Sequence, residues 1–182
     1  MNNPISSDAQ PVATYSKKIC LLGDFAVGKT SLVRKFVYDL FDDKYISTIG
    51  VKVSRKTIAA ITADGVAELT MMLWDLAGSE DFSHIRANYL RGSAGAILVC
   101  DLTRPETLTN LRTYVQDLRG QIDDPKLILA ANKVDLRDEH RISEAEIAAL
   151  AEELGTSLIF TSAKTGQGVD EIFRTLGSML IQ

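Results

Sequence analysis

A chain of 182 residues, 46% of them hydrophobic, can build one domain with a sizeable core. Its net charge of −4, with no basic run longer than Lys17-Lys18, argues against nucleic acid as a partner, because phosphate backbones demand clustered Lys and Arg. No stretch is apolar and long enough to span a bilayer, and the N-terminus lacks a charged-then-apolar signal pattern, so a soluble, cytoplasmic protein is expected.

Residues 1–16 carry Pro4, Ser6, Ser7 and Pro11 without an apolar period and read as a flexible tail, with one domain over 17–182. Asn2 after Met1 rules out a myristoylation signal. From Lys17 onward strand and helix patterns alternate, as in a parallel sheet with helices on both faces. The apolar run Ile19–Leu22 leads into Gly23-Asp24-Phe25-Ala26-Val27-Gly28-Lys29-Thr30-Ser31, the G-x-x-x-x-G-K-[ST] spacing where a strand turns into a helix. Its glycines let successive N–H groups of Phe25, Ala26, Val27 and Gly28 converge on phosphate oxygens. Lys29 adds a point charge, Thr30 offers a hydroxyl to Mg²⁺, and the helix from Lys29 to Leu40 aims its positive end at the same place. The amphipathic run Leu32, Val33, Phe36, Val37, Leu40 supplies the context that an ordinary glycine-containing turn would not require.

A polar segment from Phe41 to Gly50 follows. Val51–Ile61 and Val66–Trp74 read as strands joined by a hairpin turn at Ala63-Asp64-Gly65, and a short helix is expected over Phe82–Leu90. Arg86 and Arg91 read as surface residues of that helix rather than catalytic arginines. Ala94–Cys100 is a fully buried strand, Pro105–Leu118 a helix with proline in its first turn, and Leu127–Ala131 another buried strand. Ser143–Leu154 is a helix with Ser143 as N-cap and Glu146 completing a capping box, ended by Gly155. Leu158–Thr161 is the last strand and Val169–Leu180 the closing helix. Cys20 and Cys100, both inside apolar runs, read as buried free thiols, with a disulfide between neighbouring strands as the alternative.

Three further motifs fall at strand ends, where open α/β sheets bind ligands. In Asp75-Leu76-Ala77-Gly78 the carboxylate can hold Mg²⁺ and the Gly78 N–H can meet a terminal phosphate, although a plain loop reads the same way. In Asn132-Lys133-Val134-Asp135 the Asp135 carboxylate can accept both the ring N–H and the exocyclic amine of guanine. Adenine offers no such pair, so its binding would leave that charge unsatisfied. In Ser162-Ala163-Lys164 the Ala163 N–H can donate to the guanine keto oxygen, and the stems of Lys133 and Lys164 can cover the base faces.

These four motifs, in this order, resemble the Ras superfamily of small GTPases over roughly Lys17–Leu180; Tyr45-Ile46-Ser47-Thr48-Ile49-Gly50-Val51 and Trp74 look most like its Rab branch. The resemblance implies an α/β P-loop NTPase fold, a six-stranded, mostly parallel sheet with about five helices. It also implies GTP and GDP as bound nucleotides with Mg²⁺ on Thr30, Thr48 and Asp75. Phe41 would lie edge-on against guanine, Tyr45 would close over the phosphates, and Thr48 would sense the γ-phosphate. Effectors, exchange factors and GTPase-activating proteins would bind through Phe41–Val53 and Asp75–Arg91. Hydrolysis would rest on Lys29, Thr48 and Gly78, with Ser79 at the position where the family places a water-positioning glutamine.

Serine is too short for that task, and Phe25 occupies a phosphate-loop position that is commonly small, so slow unaided hydrolysis is expected. Lys52-Val53 replaces the Rab pattern's Asp-Phe, which leaves Rab-type effectors open. The ending Leu180-Ile181-Gln182 has no cysteine for a lipid anchor. A trimmed tail, a soluble relative such as a bacterial one, and a GTPase module of a larger protein all fit this ending. Two other function classes compete with a switch. One is a scaffold that holds GTP without hydrolysing it; the other is a P-loop kinase, which the guanine motifs disfavour.

Overall fold

The computed structural model describes residues 12–42, 48–78 and 83–182. Six strands form one sheet in the order β2-β3-β1-β4-β5-β6. They are β1 (Thr14–Leu22), β2 (Val51–Thr62), β3 (Gly65–Leu76), β4 (Gly95–Asp101), β5 (Lys126–Asn132) and β6 (Ser157–Thr161). Only β2 runs against its neighbour, in register Ile61↔Val66 across a turn at Ala63-Asp64; the β1–β3, β1–β4, β4–β5 and β5–β6 pairs are parallel.

The helices are α1 (Lys29–Tyr38), α2 (Ser83–Leu90), α3 (Pro105–Thr109), α4 (Leu111–Arg119), α5 (Glu144–Leu154) and α6 (Val169–Met179). Alternation along the central strands feeds two cores. Ile19, Leu21, Ile97 and Val99 pack with α1 and α6, while Cys20, Leu22, Leu98 and Cys100 pack with α4 and α5. Both cysteines are buried free thiols, and burial pushes the Cys100 thiol up to about 12. The α1–α6 layer is pinned by Phe36 and Phe173, whose rings stack 4.1 Å apart.

Several boundaries differ from the sequence reading. Strand β1 begins at Thr14, inside the segment expected as tail, because Thr14 to Lys18 pair with Glu68 to Met72 of β3. Helix α1 stops at Tyr38 rather than Leu40: Asp39 takes a left-handed conformation (φ 54°) and its N–H bonds back to Lys35 O at 3.0 Å, closing the helix before the last apolar position. Strand β3 runs through Leu76 because Lys52 and Val51 of β2 still pair with Asp75 and Leu76, so Asp75 is held rigidly in the sheet. The single helix expected over Pro105–Leu118 divides at Asn110, where Thr113 N–H bonds to Asn110 O across a tightened turn. The capping box of α5 is present: Ser143 Oγ accepts from Glu146 N–H, and Glu146 accepts from Ser143 N–H at 2.8 Å.

Phe173 is fully buried, so Phe173→Ala leaves a ring-sized void beneath Phe36. It is expected to lower unfolding stability by about 3–5 kcal/mol in a urea titration. A loss below about 1 kcal/mol would contradict the packing described.

Candidate functional site

The carboxyl ends of β1, β3, β5 and β6 open onto a cavity of about 320 Å³. Its walls include Phe25, Ala26, Gly28, Lys29, Thr30 and Ser31 from the β1–α1 turn, Phe41, Thr48 and Gly78 from one side, and Asn132, Lys133, Asp135, Ala163 and Lys164 from the other.

The β1–α1 turn curls because Ala26 and Gly28 both take positive φ (62° and 106°), the kind of backbone turn from which anion nests are built. Gly28 caps α1 and admits no side chain, since a Cβ would lie 2.3 Å from Asn132 Nδ2. Lys29 is 6% exposed, and its ammonium donates to the carbonyls of Gly23 at 2.7 Å and Asp24 at 2.8 Å. Burial lowers its pKa to about 8 against the pull of Asp75 and Asp24, so the site sequesters a cation that a phosphate would complete.

On the inner side Thr30 Oγ1 and Thr48 Oγ1 lie 2.7 Å apart, and Thr30 donates to Asp75 Oδ2 while Thr48 reaches the same oxygen at 3.5 Å. Asp75 is 1% exposed; its pKa is raised by burial, opposed by the Thr30 hydrogen bond and Lys29. Its other oxygen, Oδ1, is buried with no hydrogen-bond partner among the described residues. Two hydroxyls and one carboxylate, one of whose oxygens is orphaned, form a hard, all-oxygen donor set that fits Mg²⁺.

At the other end, Asp135 lines the cavity while its Oδ1 accepts from Ser162 Oγ at 2.6 Å. Asn132, 2% exposed, donates from Nδ2 to Val27 O at 2.8 Å and accepts from Thr161 Oγ1 at 3.1 Å. Lys133 takes φ 69°, its ammonium pairs with the fully buried Asp101 at 2.6 Å, and its carbonyl meets His140 Nε2 at 3.2 Å.

Most of the sequence-derived residues therefore converge. Gly23, Val27, Ser162 and Asp75 stand behind the wall: Val27 and Ser162 are fully buried and act through Asn132 and Asp135, Gly23 through Lys29, and Asp75 through Thr30. Tyr45 and Ser79 lie outside the described residues. Arg86 corrects an expectation. It is buried (5% exposed) rather than on the surface, because Asp117 pairs with it at 2.9 Å and the Tyr114 ring covers it at 4.3 Å. Arg91 is exposed and bonds Gln121.

The sequence reading missed Arg34, Leu40, Asp42 and Leu136, which also line the cavity. Arg34 lies one turn after Thr30, so helical spacing alone would have placed it there. Asp101 is also absent from the sequence-derived site, because its partnership with Lys133 arises only when β4 and β5 lie side by side.

Among the described residues, no helix is long and apolar enough to cross a membrane. The Ras family model matches residues 18–182. The Ras-related protein Rab-21 of Bos taurus is 36% identical over 170 residues, covering 93% of this chain and 75% of that protein. GTP-binding protein ypt5 of Schizosaccharomyces pombe is 37% identical over 171 residues, 93% of this chain and 80% of its own length. The human Rab-21 is 35% identical over 169 residues, with 92% and 73% covered. Likeness over nearly the whole length makes this chain a member of the Ras family, a Rab-like small GTPase.

Proposed function

We propose that the chain is a guanine-nucleotide switch that binds GTP and GDP with Mg²⁺ and hydrolyses GTP slowly when unaided. The observation that carries this reading is the convergence of Gly23–Ser31, Thr48, Asp75–Gly78, Asn132–Asp135 and Ser162–Lys164, five separate stretches of sequence, on a single cavity.

In this reading the inward N–H groups from Phe25 to Gly28 and the Lys29 ammonium hold the β- and γ-phosphates, while Thr30 and Ser31 stand at the first turn of α1. Thr30 and Thr48, with Asp75 behind them, would hold Mg²⁺, which supplies charge neutralisation on the terminal phosphates. Asp135 accepts the paired guanine donors, Ala163 N–H meets the keto oxygen, Phe41 abuts the base edge, and Lys133 and Lys164 cover its faces. Tyr45 closes over the phosphates. Thr48 and Gly78 engage the γ-phosphate only while it is present, so its loss releases Phe41–Val53 and Asp75–Arg91, the segments through which effectors, exchange factors and activating proteins would bind.

Hydrolysis requires a water aligned with the γ-phosphorus. Unaided hydrolysis is slow because Ser79 cannot span to that water, and because Phe25, 46% exposed at the cavity wall, crowds the space an activating arginine would enter. The GTPase domain, expected over 17–182, would reach back to Thr14 with β1 and work on the cytoplasmic side.

In single-turnover assays Ser79→Gln is expected to raise the unaided hydrolysis rate about tenfold or more, by restoring a group that positions water. An unchanged rate would remove serine as the cause, and no phosphate release from either protein would favour a non-hydrolysing scaffold. Asp135→Ala is expected to weaken GDP binding by roughly 10²–10⁴-fold in a competition titration, the value of two hydrogen bonds to a charged group. A loss below about fivefold would contradict its role in reading the base.

A further inference from the structure

The phosphate loop is gripped from outside as well as from within. Asp24 reaches toward α4: Tyr114 Oη donates to its Oδ1 at 3.1 Å, and Asn110 Nδ2 donates to its Oδ2 at 2.8 Å. Asn110 and Tyr114 are one helical turn apart, and the tightened turn that divides α3 from α4 is what presents the Asn110 amide. One residue along the loop, Arg104 Nη1 donates to the carbonyl of Phe25 at 2.8 Å.

On the inner side Gly78 presses against the same peptide: a Cβ there would lie 2.4 Å from Asp24 C and 2.5 Å from Phe25 N. Tyr114 cannot swing away. It is 6% exposed, its ring carries the Arg86 guanidinium at 4.3 Å, and Arg86 is tied back to Asp117 of the same helix. The next residue, Ala26, sits at φ 62°, a conformation that a residue with a side chain keeps only when its surroundings over-determine it.

We infer that Tyr114 and Asn110 are positioning residues for phosphate binding. By holding Asp24 they keep the Phe25–Gly28 nest turned toward the diphosphate, and they do nothing for the base. This rests on the guanine-nucleotide reading above. Loosening the grip lets the Ala26 turn relax, so the N–H groups lose alignment on the β-phosphate while Asp135, held by Ser162 at the far end, stays in place.

The test uses the full chain with Tyr114→Phe and, separately, Asn110→Ala. Unlabelled GDP and GMP are each competed against a fluorescent GDP in Mg²⁺ buffer, and thermal midpoints are recorded in parallel. GMP keeps the base, ribose and α-phosphate and lacks the β-phosphate that the nest would enclose. GDP affinity is expected to fall roughly three- to tenfold in each variant, less than the roughly 10–10²-fold of a direct hydrogen bond to a charged group because the loss is relayed through the loop, and GMP affinity less than about twofold.

An unchanged GDP-to-GMP ratio would overturn the inference, whether both ligands bind as before or both weaken alike; the second result is the mark of a merely structural role. Arg112→Ala, on the same helix but paired outward with Glu153 at 2.6 Å, is expected to keep the ratio, and an equal drop there would also overturn it. Asn110 is exposed, so its variant decides the matter alone if Tyr114→Phe fails to fold. A wild-type chain that bound neither nucleotide would overturn the guanine reading and this inference with it.

Discussion

The buried amide of Asn132 joins the two halves of the site. Its nitrogen donates to Val27 O at 2.8 Å and its oxygen accepts from Thr161 at 3.1 Å, so one side chain ties the phosphate loop, the end of β5 and the end of β6 into a rigid unit. The contact is close enough to exclude any side chain at position 28. An open α/β sheet leaves its loops independent by default. Here a single amide ties the β1–α1 turn to the strand end that carries Asp135, and in the proposed reading a nucleotide would bridge the two.

Around this tie the protein buries charges that balance one another only in part. Lys29 is desolvated with two carbonyls as its hydrogen-bond partners, and Asp75 keeps a buried oxygen without a partner among the described residues. Both cost folding energy that a phosphate and a divalent cation would return, which is the physical form of a switch: the state of the ligand decides which surroundings are satisfied. Asp101 and Lys133 are handled differently. Their charges face each other at 2.6 Å within the protein, and the Lys133 backbone takes a left-handed conformation beside Asp135.

Much of this was legible in the residues. The runs at Ala94–Cys100 and Leu127–Ala131 are apolar on both faces because helices cover both, and they became β4 and β5. Ser143 and Glu146 announced a capping box through local chemistry alone. The four short motifs were found because each needs only its own few residues to act. What escaped depended on pairs far apart in sequence: Asp101 with Lys133, Asp24 with Tyr114, Arg86 with Asp117. An arginine on a helix looks solvent-facing until a partner from another helix closes over it. Helix ends escaped as well, since Asp39 stops α1 by a backbone choice that competes with the apolar period running to Leu40.

In the proposed switch, Asn132 and Asp135 would set a guanine-selective end at a fixed distance from the phosphate loop. Calorimetric titration of the purified chain with GDP and with ADP, in Mg²⁺ at the same ionic strength, tests it most directly. Tight uptake of GDP is expected, with ADP bound more weakly by about 10³-fold or more, since adenine leaves the Asp135 carboxylate without its donors. Equal affinity for the two, or uptake of neither, would contradict it.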